Sequence, residues 1–372
     1  MKDVMGVIYT GDKDSFLREL TLMRAIAALP VAGRYRVIDF LVSSMVNSGV
    51  RNVGVIMQKN YHSLMDHLGS GKEWDLHGKR DGLYILPPFL TRENVGVYNG
   101  SLDALHSNFN YLRRSRQEYV LFTNSLILYN PKLNELFDQL DEDCDAVMMY
   151  TKDPAMQRPE YGTYFDVDEN GMIVDVEIDP TKPRYENTSM DALFISKKLL
   201  MELIDRGVAH GYHDLMRDVM QRMIRDAGLK VKGYEYKDVA FRMDSVQSYF
   251  DFNMKTLDTA VRHELFKEDR PIYTKVRDEL PARYLEGAKV INSMVADGCI
   301  VGGTLDHSVL FRGVHVAKGA TVKNCILMQD AHIEEGAYLE NCILDKQAVI
   351  KKDVRLIGPK AYPIVISKNM VI

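Results

Sequence analysis

The chain has 372 residues, 46% of them hydrophobic and 27% charged, and a formal net charge of −5. That length suits two domains, and the mild acidity gives neither nucleic acid nor an anionic membrane a reason to bind. No apolar run approaches the roughly 20 residues of a membrane span, and charge and glycine interrupt the first apolar run too early for a signal peptide. Four cysteines, Cys144, Cys299, Cys325 and Cys342, show no CxxC spacing and so support neither a zinc site nor a redox motif. The expectation is a cytoplasmic chain with reduced thiols and no structural metal.

In chain order, the apolar residues 4–9 lead into Thr10-Gly11-Asp12-Lys13-Asp14. That is the layout of a strand feeding a loop at the carboxyl edge of a parallel sheet, where nucleotide phosphates usually sit. A phosphate loop needs glycines, so that backbone N–H groups can approach the anion, and it needs positive charge. This loop keeps Gly11 but carries Asp12 and Asp14, with Phe16 and Glu19 beyond. The carboxylates would repel a triphosphate.

Residues 35–48 read as a helix closed by Gly49. Residues 50–58, 119–122 and 146–150 read as buried strands. Residues 165–174 read as a hairpin turning at Asn170-Gly171. This alternation implies βαβ units and a mainly parallel sheet wrapped by helices. Residues 251–266 read as one helix, and 270–287, with Pro271 and Pro281, as a linker.

A repeat follows. Residues 306–322, 323–339 and 340–356 are three 17-residue copies that align without gaps. Val309, Ile326 and Ile343 coincide; so do Val316, Ile333 and Ile350. A shorter copy begins at Asn292. Apolar residues near every sixth position suit a triangular parallel coil whose turns bury their corners only by stacking. Cys325 and Cys342 fall at equivalent inward positions, as core packing. Open ends and faces call for a partner or cap, so the coil is expected to help build an oligomer.

The stretch Ala32-Gly-Arg-Tyr-Arg-Val-Ile-Asp-Phe40, continued by Ser43 to Val50, resembles the GGKYRIIDFxLSNxxNSGI signature of the glucose-1-phosphate adenylyltransferases (ADP-glucose pyrophosphorylases), and in particular their GlgD-type subunit. The repeat is similar to the left-handed β-helix of hexapeptide-repeat proteins. The resemblance implies a nucleotidyltransferase-like domain over residues 1–255, a helix and linker over 256–288, and a left-handed parallel β-helix over 289–372. The family uses ATP and magnesium (Mg2+). Nucleotidyl transfer needs cations around the phosphates and a divalent metal on carboxylates.

Aligned with the family's motifs, the chain departs at several positions together. In GGxGTRL the second and third glycines become Asp12 and Asp14, and the arginine becomes Phe16. The KPAV lysine becomes Ile26. The LAGDHIY aspartate falls on Leu126 or, slid by one, Ser125. The VEKP lysine becomes Asp179. The YWRDVGT aspartate becomes Arg242, with Asp244 two residues on. A hard cation wants charged oxygens, so no metal ligand and no catalytic residue is assigned.

The family's sugar-phosphate contacts carry over at Tyr98, Gly162 and Ser189, either as a vestigial site or as scaffold. Asp191 replaces a glycine there and should add repulsion. Arg34 and Arg36 match basic positions of the family's effector site, or form a solvated or ion-paired surface. His62, His67 and His77 fit no metal spacing. Glu334-Glu335 and Lys351-Lys352 read as polar corners of the coil.

The expected function is a catalytically silent or weak regulatory subunit that assembles with a catalytic C-type subunit, as a mixed tetramer, to make ADP-glucose for glycogen. A homo-oligomer is the alternative for the chain alone. The rival functions are an active nucleotidyltransferase with an altered site and a sugar-phosphate sensor without chemistry.

Overall fold

The computed structural model describes residues 3–11, 14–88 and 98–372. The chain forms two compact units. One comprises Met1–Asp12, Phe40–Arg242 and Glu268–Tyr273; the other comprises Lys13–Asp39, Met243–Lys267 and Thr274–Ile372. Residues 13–39 and 243–255 thus cluster with the coil segment, whereas the sequence reading groups them with the first domain.

The first unit is built on a nine-stranded sheet. Its strands are β1 (Val4–Tyr9), β2 (Asn52–Ile56), β3 (Leu83–Leu86), β4 (Tyr119–Asn124), β5 (Ala146–Thr151), β6 (Thr163–Val167), β7 (Met172–Ile178), β8 (Asn187–Ser196) and β9 (Val231–Glu235). The order is β3-β2-β1-β4-β8-β5-β9-β7-β6. The first four strands are parallel, with Met5 opposite Asn52 and Val4 opposite Tyr119. Every residue of β1 and β2 is buried, as expected of parallel strands covered on both faces. Beyond β4 the sheet is mixed, since β8 runs antiparallel to both β4 and β5.

Two features of β8 matter for the site. Its register against β5 breaks between Ser189 and Leu193, and its first residues pair with β6 as well. Such a bulge re-aims the side chains around it. The β6–β7 hairpin turns at Asn170-Gly171 as the sequence suggests, with Gly171 at φ 79°.

The helix expected over 35–48 is α1 (Val37–Asn47). Tyr35 and Arg36 are extended because they pair with Val31 and Pro30. The helix expected over 251–266 is two helices, α2 (Val246–Lys255) and α3 (Thr259–Leu265). The Asp258 carboxylate accepts the Ala260 N–H at 2.9 Å, so a new N-cap interrupts the run.

In the second unit the 17-residue spacing is the strand register itself. Val322 pairs with Leu339, Cys325 with Cys342 and Ile326 with Ile343, while His315 and Val316 pair with His332 and Ile333. Met294 pairs with Val309, which makes the first coil two residues shorter. The parallel coils form a left-handed β-helix, and their inward apolar residues, Cys325 and Cys342 included, are fully buried. All four cysteines are free thiols. The segment before α1 is fixed within this unit: the Tyr249 hydroxyl donates to the Pro30 carbonyl at 2.7 Å, and the Asn253 carbonyl accepts the Ala32 N–H at 3.0 Å.

Candidate functional site

The site begins at the β8 bulge. Asp191 stands at φ 53°, a left-handed conformation that Asp tolerates better than most residues. Its N–H donates to the Ser189 hydroxyl at 3.0 Å. Arg242 lies on a two-residue strand, Phe241–Arg242, paired antiparallel with Ile127–Leu128, and Arg242 itself faces Ile127. The positions that the resemblance would give to the family's two metal aspartates, 126 (or 125) and 242, are therefore brought close, since Arg242 pairs with the residue after 126. Neither holds a carboxylate.

Instead the Arg242 guanidinium donates to the Asp191 carboxylate at 3.0 Å and to the Ser189 carbonyl at 2.9 Å. Its side chain is only 5% exposed, against 22% for Asp191. The repulsion expected from Asp191 is thus neutralised on the spot by the Arg242 guanidinium. Just before the opposing strand Ser125 is fully buried, and the Leu126 N–H is taken by the Asn124 side chain at 3.1 Å. Burial holds the Tyr129 phenol far above its ordinary range, and the Asp191 charge adds to this. A divalent cation wants several oxygens, most of them anionic; a guanidinium, an aliphatic side chain and a buried hydroxyl do not fit it. Among the described residues no group of three or more His, Cys, Asp or Glu could hold a metal.

A second pair follows the same pattern. Asp179, which the resemblance sets against the family's lysine, stands at φ 52° and is bound by Arg217. Its N–H donates to the Gly162 carbonyl at 2.8 Å. A Cβ on Gly162 would stand 2.9 Å from both the Arg158 carbonyl and the Tyr164 hydroxyl. Burial pushes the Tyr164 phenol up, and the Arg242 and Arg158 charges pull it partly back. Gly162 and Ser189 therefore belong to one neighbourhood, around Tyr164, Arg242 and Asp179. Sequence reasoning missed Arg217, since no local spacing links it to Asp179, 38 residues away.

Tyr98 belongs to another network. Its carbonyl accepts from the Gln58 amide at 3.3 Å, and that amide also donates to the Tyr9 hydroxyl at 2.6 Å. The same two side chains crowd Gly11, where a Cβ would lie 2.2 Å from the Tyr9 ring and 2.5 Å from Gln58. Asp12 lies outside the described residues, as do the side chains of Asp14 and Phe16. The backbone of Asp14–Leu20 forms 3-10 turns kinked at Arg18.

Arg34 and Arg36 lie in the coil-bearing unit. The Arg34 carbonyl accepts from Arg312 at 3.5 Å. Burial lowers the Arg312 pKa, and Arg277 and Arg34 lower it further. Burial pushes Lys346 down to about 7, helped by Arg36, Arg24 and Arg277. The sequence reading found only Arg34 and Arg36; Arg277, Arg312 and Lys346 join them from the linker and from separate coils. Elsewhere His67 is buried edge-on against Trp74, and His77 lies 3.7 Å from Asp75.

Residues 5–259 match the Nucleotidyl transferase family, and residues 281–361 the family "GlmU-like, C-terminal hexapeptide". The chain is similar to the Glycogen biosynthesis protein GlgD of Geobacillus stearothermophilus, 38% identical over 322 residues, which cover 85% of this chain and 82% of that protein. It is 34% identical to the GlgD of Bacillus subtilis (strain 168) over 317 residues, 85% of this chain and 81% of that one. It is also 35% identical over 304 residues to a Glucose-1-phosphate adenylyltransferase of Thermomicrobium roseum, 81% of this chain and 71% of that enzyme.

Proposed function

Since the chain belongs to the family of GlgD glycogen biosynthesis proteins and glucose-1-phosphate adenylyltransferases, we propose that it acts in glycogen biosynthesis as a catalytically silent or very weak regulatory subunit. One observation carries this reading. Arg242, paired with Asp191, stands where the resemblance would put one metal aspartate, and its strand partner Ile127 adjoins the position of the other. Removing a single charge-stabilising group costs about 10²–10³ in rate, and several are replaced together here.

Its partner is an adenylyltransferase-type subunit with an intact site, the catalytic C-type subunit, in a mixed tetramer in the cytoplasm. Arg34 and Arg36, joined by Arg277, Arg312 and Lys346, form an anion-binding effector site through which it tunes the partner's synthesis of ADP-glucose from ATP and glucose 1-phosphate. Burial, and then neighbouring arginines, lower both Arg312 and Lys346, and Arg277 acts on both; this supports the reading, because an anion would relieve such a crowd of like charges. Tyr98, Gly162 and Ser189 are vestiges that hold the fold.

The test is an ADP-glucose assay with ATP, glucose 1-phosphate and magnesium, on the purified chain and on the chain co-expressed with the catalytic subunit. Little turnover alone, with raised rate or altered effector response in the mixture, is expected. Turnover alone close to that of an ordinary family enzyme would overturn the silent reading. Absence of a complex would remove the regulatory one.

A further inference from the structure

The coil-bearing unit carries a cleft of about 610 Å³, lined only by its own residues. That volume falls within the roughly 300–1,000 Å³ of small-molecule sites. One wall is apolar. Phe250, Met254 and Leu257 follow each other at i, i+4 and i+7 along α2 and just past its end, a spacing that puts them on one face. Phe250 is nearly buried and the other two are half-buried.

The opposite wall is a comb of polar side chains at one corner of the β-helix. His307, Asn324 and Asn341 stand at φ 46°, 47° and 52°. They occupy the same corner in successive coils, as the flanking pairs Asp306–Lys323, Lys323–Glu340 and Cys325–Cys342 require. Neighbouring strands lie about 4.7–4.9 Å apart, so these groups repeat at that interval along the cleft. The Asn341 amide is used internally, donating to the Gly358 carbonyl at 2.9 Å. The His307 Nδ1 lies 2.6 Å from Asp306, leaving Nε2 for the cleft. Among the described residues the Asn324 amide makes no hydrogen bond.

Charge and backbone narrow the occupant. Asn292, one carboxylate (Asp258) and one ammonium (Lys360) complete the lining, so the formal charge is zero and an anion gains nothing. The strand that holds Asn324 is paired on both sides by its neighbouring coils, which leaves no edge for an extended peptide to join. Amides and imidazole both donate and accept, as hydroxyl groups do. A sugar ring offers a rim of hydroxyls and a C–H face, matching the two walls. We propose that this cleft is a binding site for a neutral saccharide, a hexose or a short chain of hexoses. It makes no use of the nucleotidyltransferase-type residues, so its success or failure is independent of the silent-subunit reading.

The test is calorimetric titration of the full chain with maltotriose, with inorganic phosphate as a second arm. Asn324→Gly removes the amide while suiting the positive φ. Met254→Lys blocks the apolar wall. Saturable binding of maltotriose is expected, weakened about five- to tenfold by Asn324→Gly, as loss of one hydrogen bond implies, and abolished by Met254→Lys, with melting temperatures unchanged. Three results would overturn the proposal: no saturable binding to the wild-type chain, equal affinity in both variants, or displacement by phosphate. A change in oligomeric mass on Met254→Lys would show instead that another copy of the chain covers the cleft, and would overturn it too.

Discussion

Asp191 sets two effects against each other. Its φ of 53° favours glycine, and relieving that strain is worth about 1 kcal/mol. The same residue is the carboxylate partner of an arginine that is 5% exposed. Stranding a buried charge costs about 3–5 kcal/mol, less where one partner reaches water. Asp191→Gly should therefore destabilise the chain by about 2 kcal/mol net, read by urea denaturation; a more stable variant would mean that the pair contributes little. Arg24 and Asp345 give a stronger case, each 3% exposed and joined by two contacts of 2.8 Å. Arg24→Ala should cost about 3–5 kcal/mol, whereas Arg24→Met with Asp345→Leu should recover most of it. Equal losses in the single and double variants would remove the charge argument. Neither pair could be read from the sequence. Arg242 lies 51 residues from Asp191, and Arg24 lies 321 from Asp345. Alignment reveals which charges are out of place, but only folding shows that they meet.

Elements were legible where one force dominates. The 17-residue repeat could be seen because each coil must place the same apolar corner over the last, so register and sequence period are the same quantity. The strands around β1 were legible because both faces are buried. Boundaries set by a single polar contact were not: apolar periodicity runs through Leu257, but the Asp258 cap starts a new helix. The coil also carries a pH-dependent feature. His315 stacks on His332 with centroids 4.4 Å apart, and its Nδ1 is buried without a hydrogen bond. Burial, and then His332, lowers the His315 pKa below its usual value. Between the folded and unfolded pKa values the unfolded chain binds more protons, so stability falls as the pH drops below about 6.5. Melting temperature should therefore decline from pH 7.5 to 5.5, and His315→Gln should flatten that decline. An unchanged slope would place the titrating group elsewhere.

For the whole molecule, ligand linkage gives the broadest check on the altered site. A ligand that binds only the native state raises stability by RT ln(1 + [L]/Kd), about 2.7 kcal/mol at a hundredfold excess over Kd. For a unit of this size that is roughly 5–10 °C in melting temperature. A guanidinium cannot hold a divalent cation, and Tyr9 and Gln58 already crowd the backbone at Gly11. The purified chain should therefore melt at the same temperature with ATP and magnesium, with ATP alone, and after chelation of metal. An active adenylyltransferase subunit measured in parallel should show the metal-dependent rise. A rise in this chain that needs both ATP and magnesium, and that survives Arg242→Gln, would mean that the nucleotide is held by groups other than those at the β8 bulge.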